Sequence, residues 1–292
     1  MAFRLIDSGD SRITHVRGDI GKHFCTAQRC TLMAVSLLLA WSLAACVPPA
    51  TPRQEELVVF AAASLTDAFT EIGEAFGARN HIEVTFNFAG SQTLAGQLTS
   101  GAPADVFASA SDRQMQFAID GERVDPSAVF TFAANRLVIV TPRENPGAVV
   151  TPVDLAFPGL KIVLADAAVP AGNYSLQFLA KASSDPAYTT TYSIAVLSNV
   201  VSYEENVRAV LAKIVLGEAD AAIVYSSDVA GEQRDSVQIV EIPTDLNVVA
   251  AYQVAPVIDS DRPTMARIFV DFLLSPTGQS ILNKHGFQRV KP

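Results

Sequence analysis

Ser64 and Ser91 each stand where an apolar run gives way to a helical pattern, and Tyr225 closes a third apolar run in IVYSSD. At such a junction the helix start offers backbone N–H groups without intrahelical partners and a positive dipole end, and the side chains add hydroxyl donors. That chemistry suits an anion. The plainer reading is ordinary capping: Ser64 with Asp67 spells S-x-x-D, a capping box. Groups for acid–base or nucleophilic work are scarce. Beyond the first 45 residues the histidines are His81, in RNHIEV, and His285, in KHGF, and neither has metal-ligand spacing. There is no GxSxG, HExxH, CxxC, P-loop or dinucleotide fingerprint. Asp105, one acid after a Pro-Ala turn, reads as a structural cap rather than a general base. Binding is expected rather than catalysis, with no enzymatic activity and no cofactor.

These donors need elements to hold them. LVVFAA, from Leu57 to Ala62, has the length and β-branched content of a buried parallel strand, and Leu65, Ala68, Phe69, Ile72 and Phe76 follow at helical spacing. IEVTFNF alternates like a strand and runs into Ala89-Gly90-Ser91, after which Thr93, Leu94 and Leu98 make a short helical face. ADVFASA is a strand, DRQMQFAIDGERV a helix ending at Gly121, and LVIVTP an apolar strand stopped by Pro142. LKIVLAD leads to the turn Pro170-Ala171-Gly172 and a helix with Tyr174, Phe178 and Leu179 inward. A fourth helix carries Val207, Val210, Leu211, Ile214 and Val215 on one face, with Gly217 where a C-cap belongs. AAIVYSSD, VQIVEI and VVAAYQVAPV read as strands, and PTMARIFVDFLL and SPTGQSILNKHGF as two closing helices. This alternation predicts an α/β fold with largely parallel sheets, whose ligands sit at the strands' carboxyl ends.

The front of the chain reads differently. CTLMAVSLLLAWSLAAC is an apolar run of signal-peptide length, too short to span a membrane comfortably, and LAAC at its end resembles the lipobox of bacterial lipoproteins. Residues 1–45 are then a signal segment, Cys46 the lipid-modified first residue of the mature chain, and the proline-rich stretch 46–56 a tether. Cys25 and Cys30 fall in the removed part, so the body has no further cysteine and must be held by its core. Removing residues 1–45 leaves 16 basic against 27 acidic groups. No basic stripe remains, which argues against nucleic acid and anionic membrane surfaces as partners. A bound anion would have to be held by local dipoles against the global field.

FAAASLTDAF, FAGSQTLAGQL, GAPADVFASA, VPAGNY, SNVVSYEENVR, IVYSSD and SPTGQSILNKHGF, in this order, resemble the periplasmic molybdate-binding proteins (ModA family) of molybdate and tungstate ABC transporters. The match runs from about Leu57 to Phe287. The resemblance implies a bilobal type II periplasmic-binding-protein fold: two parallel-rich mixed sheets flanked by helices, with the ligand in the interlobe cleft. LVIVTP and AAYQVAPV would be the crossovers, giving a first lobe from residues 57–137 and 252–292 and a second from 138–251. It implies oxyanion contacts from the hydroxyls and N–H groups of Ser64 and Ser91, the N–H groups of Ala171 and Val207, and the hydroxyl of Tyr225. Two positions depart from the family pattern: GSQT stands where a longer serine run is common, and Asn206 where Asp is common. Gln92 and Asn206 are therefore expected to alter bonding around the site. The implied partners are the oxyanion and an inner-membrane ABC permease with its cytoplasmic ATPase. The implied protein is an exported, lipid-anchored monomer, periplasmic or at the cell surface.

A tetrahedral dianion offers acceptors and no donor, so a cavity of donors alone suits it, and each hydrogen bond to the charged group contributes about 1.5–3 kcal/mol. Sulfate is smaller and would leave donors unpaired. A sulfate binder is the alternative within this class, and an exported serine hydrolase using Ser64 or Ser91 the alternative outside it. The anion is also expected to be the main polar contact between lobes that otherwise meet only through the crossovers.

Overall fold

The computed structural model describes residues 56–290. The signal segment, Cys46 and nearly all of the tether lie outside them. Strand β1 (Glu56–Ala62) is buried from Val59 onward, with Leu57, Val59 and Ala61 fully inaccessible, because parallel neighbours flank both edges and helices cover both faces. A 3₁₀ turn, Ala63–Leu65, leads to helix α1 (Thr66–Asn80). Its apolar stripe, Phe69, Ile72 and Phe76, is fully buried, and each such side chain contributes about 1.5–3 kcal/mol through the area it removes from water. Phe76 meets Phe269 edge-on at 5.1 Å between ring centroids, which ties the closing helices to the first unit.

The chain continues through β2 (Glu83–Ala89), α2 (Ser91–Thr99), β3 (Val106–Ser109) and α3 (Asp112–Asp120) to β4 (Phe130–Pro142). There follow β5 (Ile162–Ala165), α4 (Pro170–Ser183), α5 (Tyr192–Ser198), β6 (Val200–Glu204), α6 (Val207–Val215) and β7 (Ala221–Tyr225). The last elements are β8 (Val237–Glu241), β9 (Val249–Pro256), α7 (Pro263–Leu274) and α8 (Pro276–Lys284). The strands are ordered β2-β1-β3-β9-β4-β7-β5-β6, with β8 on the other edge of β4. Pairings of β1 with β2 and β3, and of β5 with β6 and β7, are parallel, while those made by β4, β8 and β9 are antiparallel.

Strand β4 is the seam. Its first part, through Arg136, pairs with β9, and from Leu137 onward it pairs with β7 and β8. One continuous strand therefore belongs to two sheet halves, β2-β1-β3-β9 on one side and β7-β5-β6 with β8 on the other. The sequence pattern predicted only LVIVTP as strand. The structure extends it back to Phe130, because the preceding FTFAANR is drawn into the ladder by β9 rather than by its own alternation. The predicted capping box at Ser64 is also corrected. Ser64 lies inside the 3₁₀ turn and makes no cap hydrogen bond. Its hydroxyl is engaged elsewhere, with Tyr252, and the Thr66 hydroxyl bonds back to the Ala63 carbonyl at 2.7 Å. Asp105 does serve structure: its carboxylate accepts from the Val58 N–H (2.8 Å) and the Ser260 hydroxyl (2.6 Å).

Candidate functional site

Five parallel strands end on one small cavity, and each delivers one of the residues singled out from the sequence. Ser64 follows β1, Ser91 opens α2 after β2, Ala171 lies in the first turn of α4 after β5, Val207 opens α6 after β6, and Tyr225 ends β7. All five line the same cavity, together with Gly90, Ala110 and Asn206. The space measures about 220 Å³ including the part continuous with solvent, below the ~300–1,000 Å³ of organic-ligand pockets. No lysine, arginine, aspartate, glutamate or histidine lines it.

Local sequence explains the convergence. Ser91 and Val207 are first helical residues and Ala171 is second, behind Pro170, which has no N–H to satisfy. Their N–H groups are among those a helix leaves without an internal partner. The Asn206 side chain accepts from the Ala209 N–H at 3.0 Å, which caps α6 and leaves the Val207 N–H for the cavity. Gly172 permits the close approach of α4 to β5: a Cβ there would lie 2.1 Å from the Asp166 carbonyl oxygen and 2.4 Å from that of Ala165. Three helix starts therefore point positive ends at one space.

The hydroxyls complete the donor set. Ser64, Ser91 and Tyr225 are 4%, 1% and 1% exposed, so these donors are shielded from bulk water. The Ser91 oxygen accepts the Ala110 N–H at 3.1 Å. Ser64 shares a 2.8 Å hydrogen bond with the Tyr252 hydroxyl. The Tyr225 hydroxyl is buried with no partner in the protein, and burial pushes its phenol well above the ordinary value, so it stands as a neutral donor. Neither serine meets a base: His285 pairs with Glu71 at 2.8 Å, and His81 ends α1 in a left-handed conformation.

Of the residues packed around the cavity, Asp228, Arg208 and Gln114 carry no local signal in the sequence. Asp228 accepts the Tyr225 N–H at 3.0 Å and holds the end of β7 in place. Burial raises its carboxyl to about 7, against the opposing pull of Arg208, whose Nε lies 3.8 Å away, and of the Tyr225 N–H. Arg208 also reaches across to Asp67 on α1 at 2.5 Å. Gln92 donates to the Glu205 carbonyl at 2.9 Å and Gln114 to the Ala168 carbonyl at 3.2 Å, both from one sheet half to the other. These contacts correct the expectation that an anion would be the main polar link between halves joined only by crossovers. The halves are already latched by side chains around the cavity rim, because the close approach at Gly90, where a Cβ would fall 2.6 Å from the Glu205 carbonyl, brings amides and carbonyls within reach.

Residues 57–288 match the family described as bacterial extracellular solute-binding protein. The chain is 38% identical over 264 residues to the molybdate-binding protein ModA of Mycobacterium tuberculosis, covering 87% of this chain and 96% of the relative. It is similar to the solved substrate binding domain of a putative molybdenum ABC transporter from Clostridium difficile. That match has 28% identity and a TM-score of 0.61, over 82% of this chain and all of that one. The sulfate-binding protein SubI of M. tuberculosis shares the fold, with a TM-score of 0.74 at 17% identity over 82% of this chain and 88% of its own.

Proposed function

The chain belongs to the bacterial extracellular solute-binding proteins, among the relatives of ModA, and on that premise we propose that it captures molybdate or tungstate for an ABC importer. The observation that carries the reading is the convergence of five strand ends on one small cavity of donors without a charged side chain. Ser64 and Ser91 would each give a hydroxyl and an N–H, Ala171 and Val207 an N–H, and Tyr225 its phenolic proton. At about 1.5–3 kcal/mol for each bond to a charged group, with up to about 1 kcal/mol from each helix end, these donors suffice without arginine. Release to a permease is easier for the same reason, since no full countercharge must be separated from the anion.

Selectivity follows from size and protonation. The larger oxyanions reach donors on both walls, and sulfate leaves some unpaired. Monohydrogen phosphate brings a proton that finds no acceptor. The residue segments 57–137 with 252–292, and 138–251, are proposed as the two lobes that close on the ligand. Export with a lipid anchor at Cys46, a monomeric state, and delivery to an inner-membrane permease and its cytoplasmic ATPase complete the proposal. Cys46→Ser should move the protein out of the membrane fraction, and membrane-bound protein of mature size would refute the anchor. Calorimetric titration of the mature protein with molybdate, tungstate, sulfate and phosphate tests the ligand. Molybdate and tungstate should bind at least an order of magnitude more tightly, and sulfate binding equally well would turn the reading to a general oxyanion carrier.

A further inference from the structure

Behind Ser64 lies a polar chain buried at the seam between the sheet halves. Tyr252 on β9 and Asn135 on β4 are both fully inaccessible. The Arg136 N–H lies 2.9 Å from one side-chain atom of Asn135, and since that backbone group only donates, the atom is Oδ1. The Nδ2 group therefore faces the other way, donating to the Ser227 hydroxyl at 2.7 Å and, at 3.5 Å, to the Tyr252 hydroxyl oxygen. Tyr252 holds its proton, since burial pushes its phenol far above the ordinary value. That proton needs an acceptor, and Asn135 presents only donors to it. The Tyr225 ring is edge-on to Tyr252 at 5.9 Å between centroids, and the two hydroxyls are near enough for Tyr252 to raise the Tyr225 phenol further, but not within hydrogen-bond distance. The Ser64 oxygen, at 2.8 Å, is the acceptor within hydrogen-bond distance.

We infer that Tyr252, oriented by Asn135, is a positioning residue that fills one lone pair of Ser64 and so biases the Ser64 proton toward the bound anion. The inference rests on the proposed oxyanion function and names what sets its specificity. Ser91 is treated alike, its oxygen filled by the Ala110 N–H. With one lone pair of each serine taken, both hydroxyls favour presenting a proton to the cavity over accepting one. An oxyanion oxygen that carries a proton meets another proton at each of them, whereas a fully deprotonated oxygen is received. The polarity of the hydroxyls, not only their position, selects the ligand.

The test is a double-mutant cycle on the full mature protein, with Ser64→Ala, Tyr252→Phe and the pair, titrated with molybdate and with hydrogen arsenate. Tyr252→Phe should weaken molybdate binding roughly 2- to 12-fold, the range of one ordinary hydrogen bond. It should have less than about a twofold effect once Ser64 is alanine, because its action passes through that hydroxyl. It should also narrow the molybdate-to-arsenate ratio, since a freed Ser64 hydroxyl can rotate to accept a proton. Effects that multiply in the double variant, or parallel losses for both anions, would make Tyr252 a packing residue and overturn the inference. Wild-type protein that fails to bind molybdate would instead refute the proposed function. Should Tyr252→Phe not fold, a neutron structure of the wild type decides the same point: the Tyr252 deuteron must point at Ser64 Oγ, and one directed elsewhere defeats the proposal.

Discussion

Ser64 and Tyr225 face the cavity from opposite sheet halves, one at the end of β1 and the other at the end of β7. Ser64→Ala keeps the backbone N–H and deletes one hydroxyl, and Tyr225→Phe deletes one with little change of shape. Each should cost about 1.5–3 kcal/mol of molybdate affinity, on the order of tenfold to a hundredfold in Kd by calorimetry. Unchanged affinity in both would remove the hydroxyls from the site. Asp228 offers a separate handle. Its carboxyl is raised by burial to about 7, above an unfolded value of about 3.9. Between those values the native state holds a proton that the unfolded chain has released. Its contribution to stability is therefore fully present below about pH 4 and lost as pH rises through about 7. Glu71, Asp154 and Glu241, held below their ordinary values by their partners, act in the opposite sense. The informative quantity is thus the difference between wild type and Asp228→Asn. That difference in Tm should favour the wild type more at pH 5 than at pH 8, and a difference independent of pH would contradict the raised carboxyl.

At the scale of elements, the site is made by where helices begin. Helix α4 can start beside β5 only because residue 172 lacks a Cβ. Gly172→Ala would place a carbon 2.1 Å from the Asp166 carbonyl oxygen, so the first turn of α4 must move and carry the Ala171 N–H with it. Overpacking of this kind costs about 1–3 kcal/mol, or roughly 2–12 °C in Tm for a body of this size. Molybdate affinity should fall as well, by more than the stability loss alone explains. A variant with wild-type Tm and affinity would show that the backbone absorbs the methyl group without moving the donor. Helix α6 depends on its cap instead. Asn206, the family departure noted from the sequence, keeps the capping function through its Oδ1, while Gln92, the other departure, spans the two sheet halves.

For the molecule as a whole, the structure is a latched state. Arg208 with Asp67, Gln92 with Glu205 and Gln114 with Ala168 join the halves around a cavity whose donor side chains are almost wholly inaccessible. A ligand cannot enter such a cavity without an opening, so capture requires an equilibrium between open and latched forms that the anion biases. Small-angle scattering should show a smaller radius of gyration with molybdate than without it. Gln92→Ala, which deletes one latch contact outside the donor set, should weaken binding by no more than about tenfold and leave the bound form equally compact. No contraction on binding would refute closure of the halves.

Much of this architecture follows from local sequence. The strand-turn-helix units show in LVVFAA, IEVTFNF and LKIVLAD because burial of parallel strands and one-sided helices imposes short periods on neighbouring residues. Ser64, Ser91, Ala171, Val207 and Tyr225 could be picked out from their places at the ends of those units and from the family blocks around them. The tertiary structure decided the rest. Ser64 gave its hydroxyl to Tyr252, 188 positions away, instead of to a capping box. Arg208 found Asp67 across 141 positions, and Gln92 found Glu205 across 113. Strand β4 changed partners at Arg136 and Leu137: the apolar run shows where LVIVTP begins, but not that FTFAANR before it continues the same strand against β9. Periodicity records which face of an element is buried. Which distant group meets a given hydroxyl or carboxylate there, and so the direction of its proton or the charge it keeps, is settled only when the halves pack.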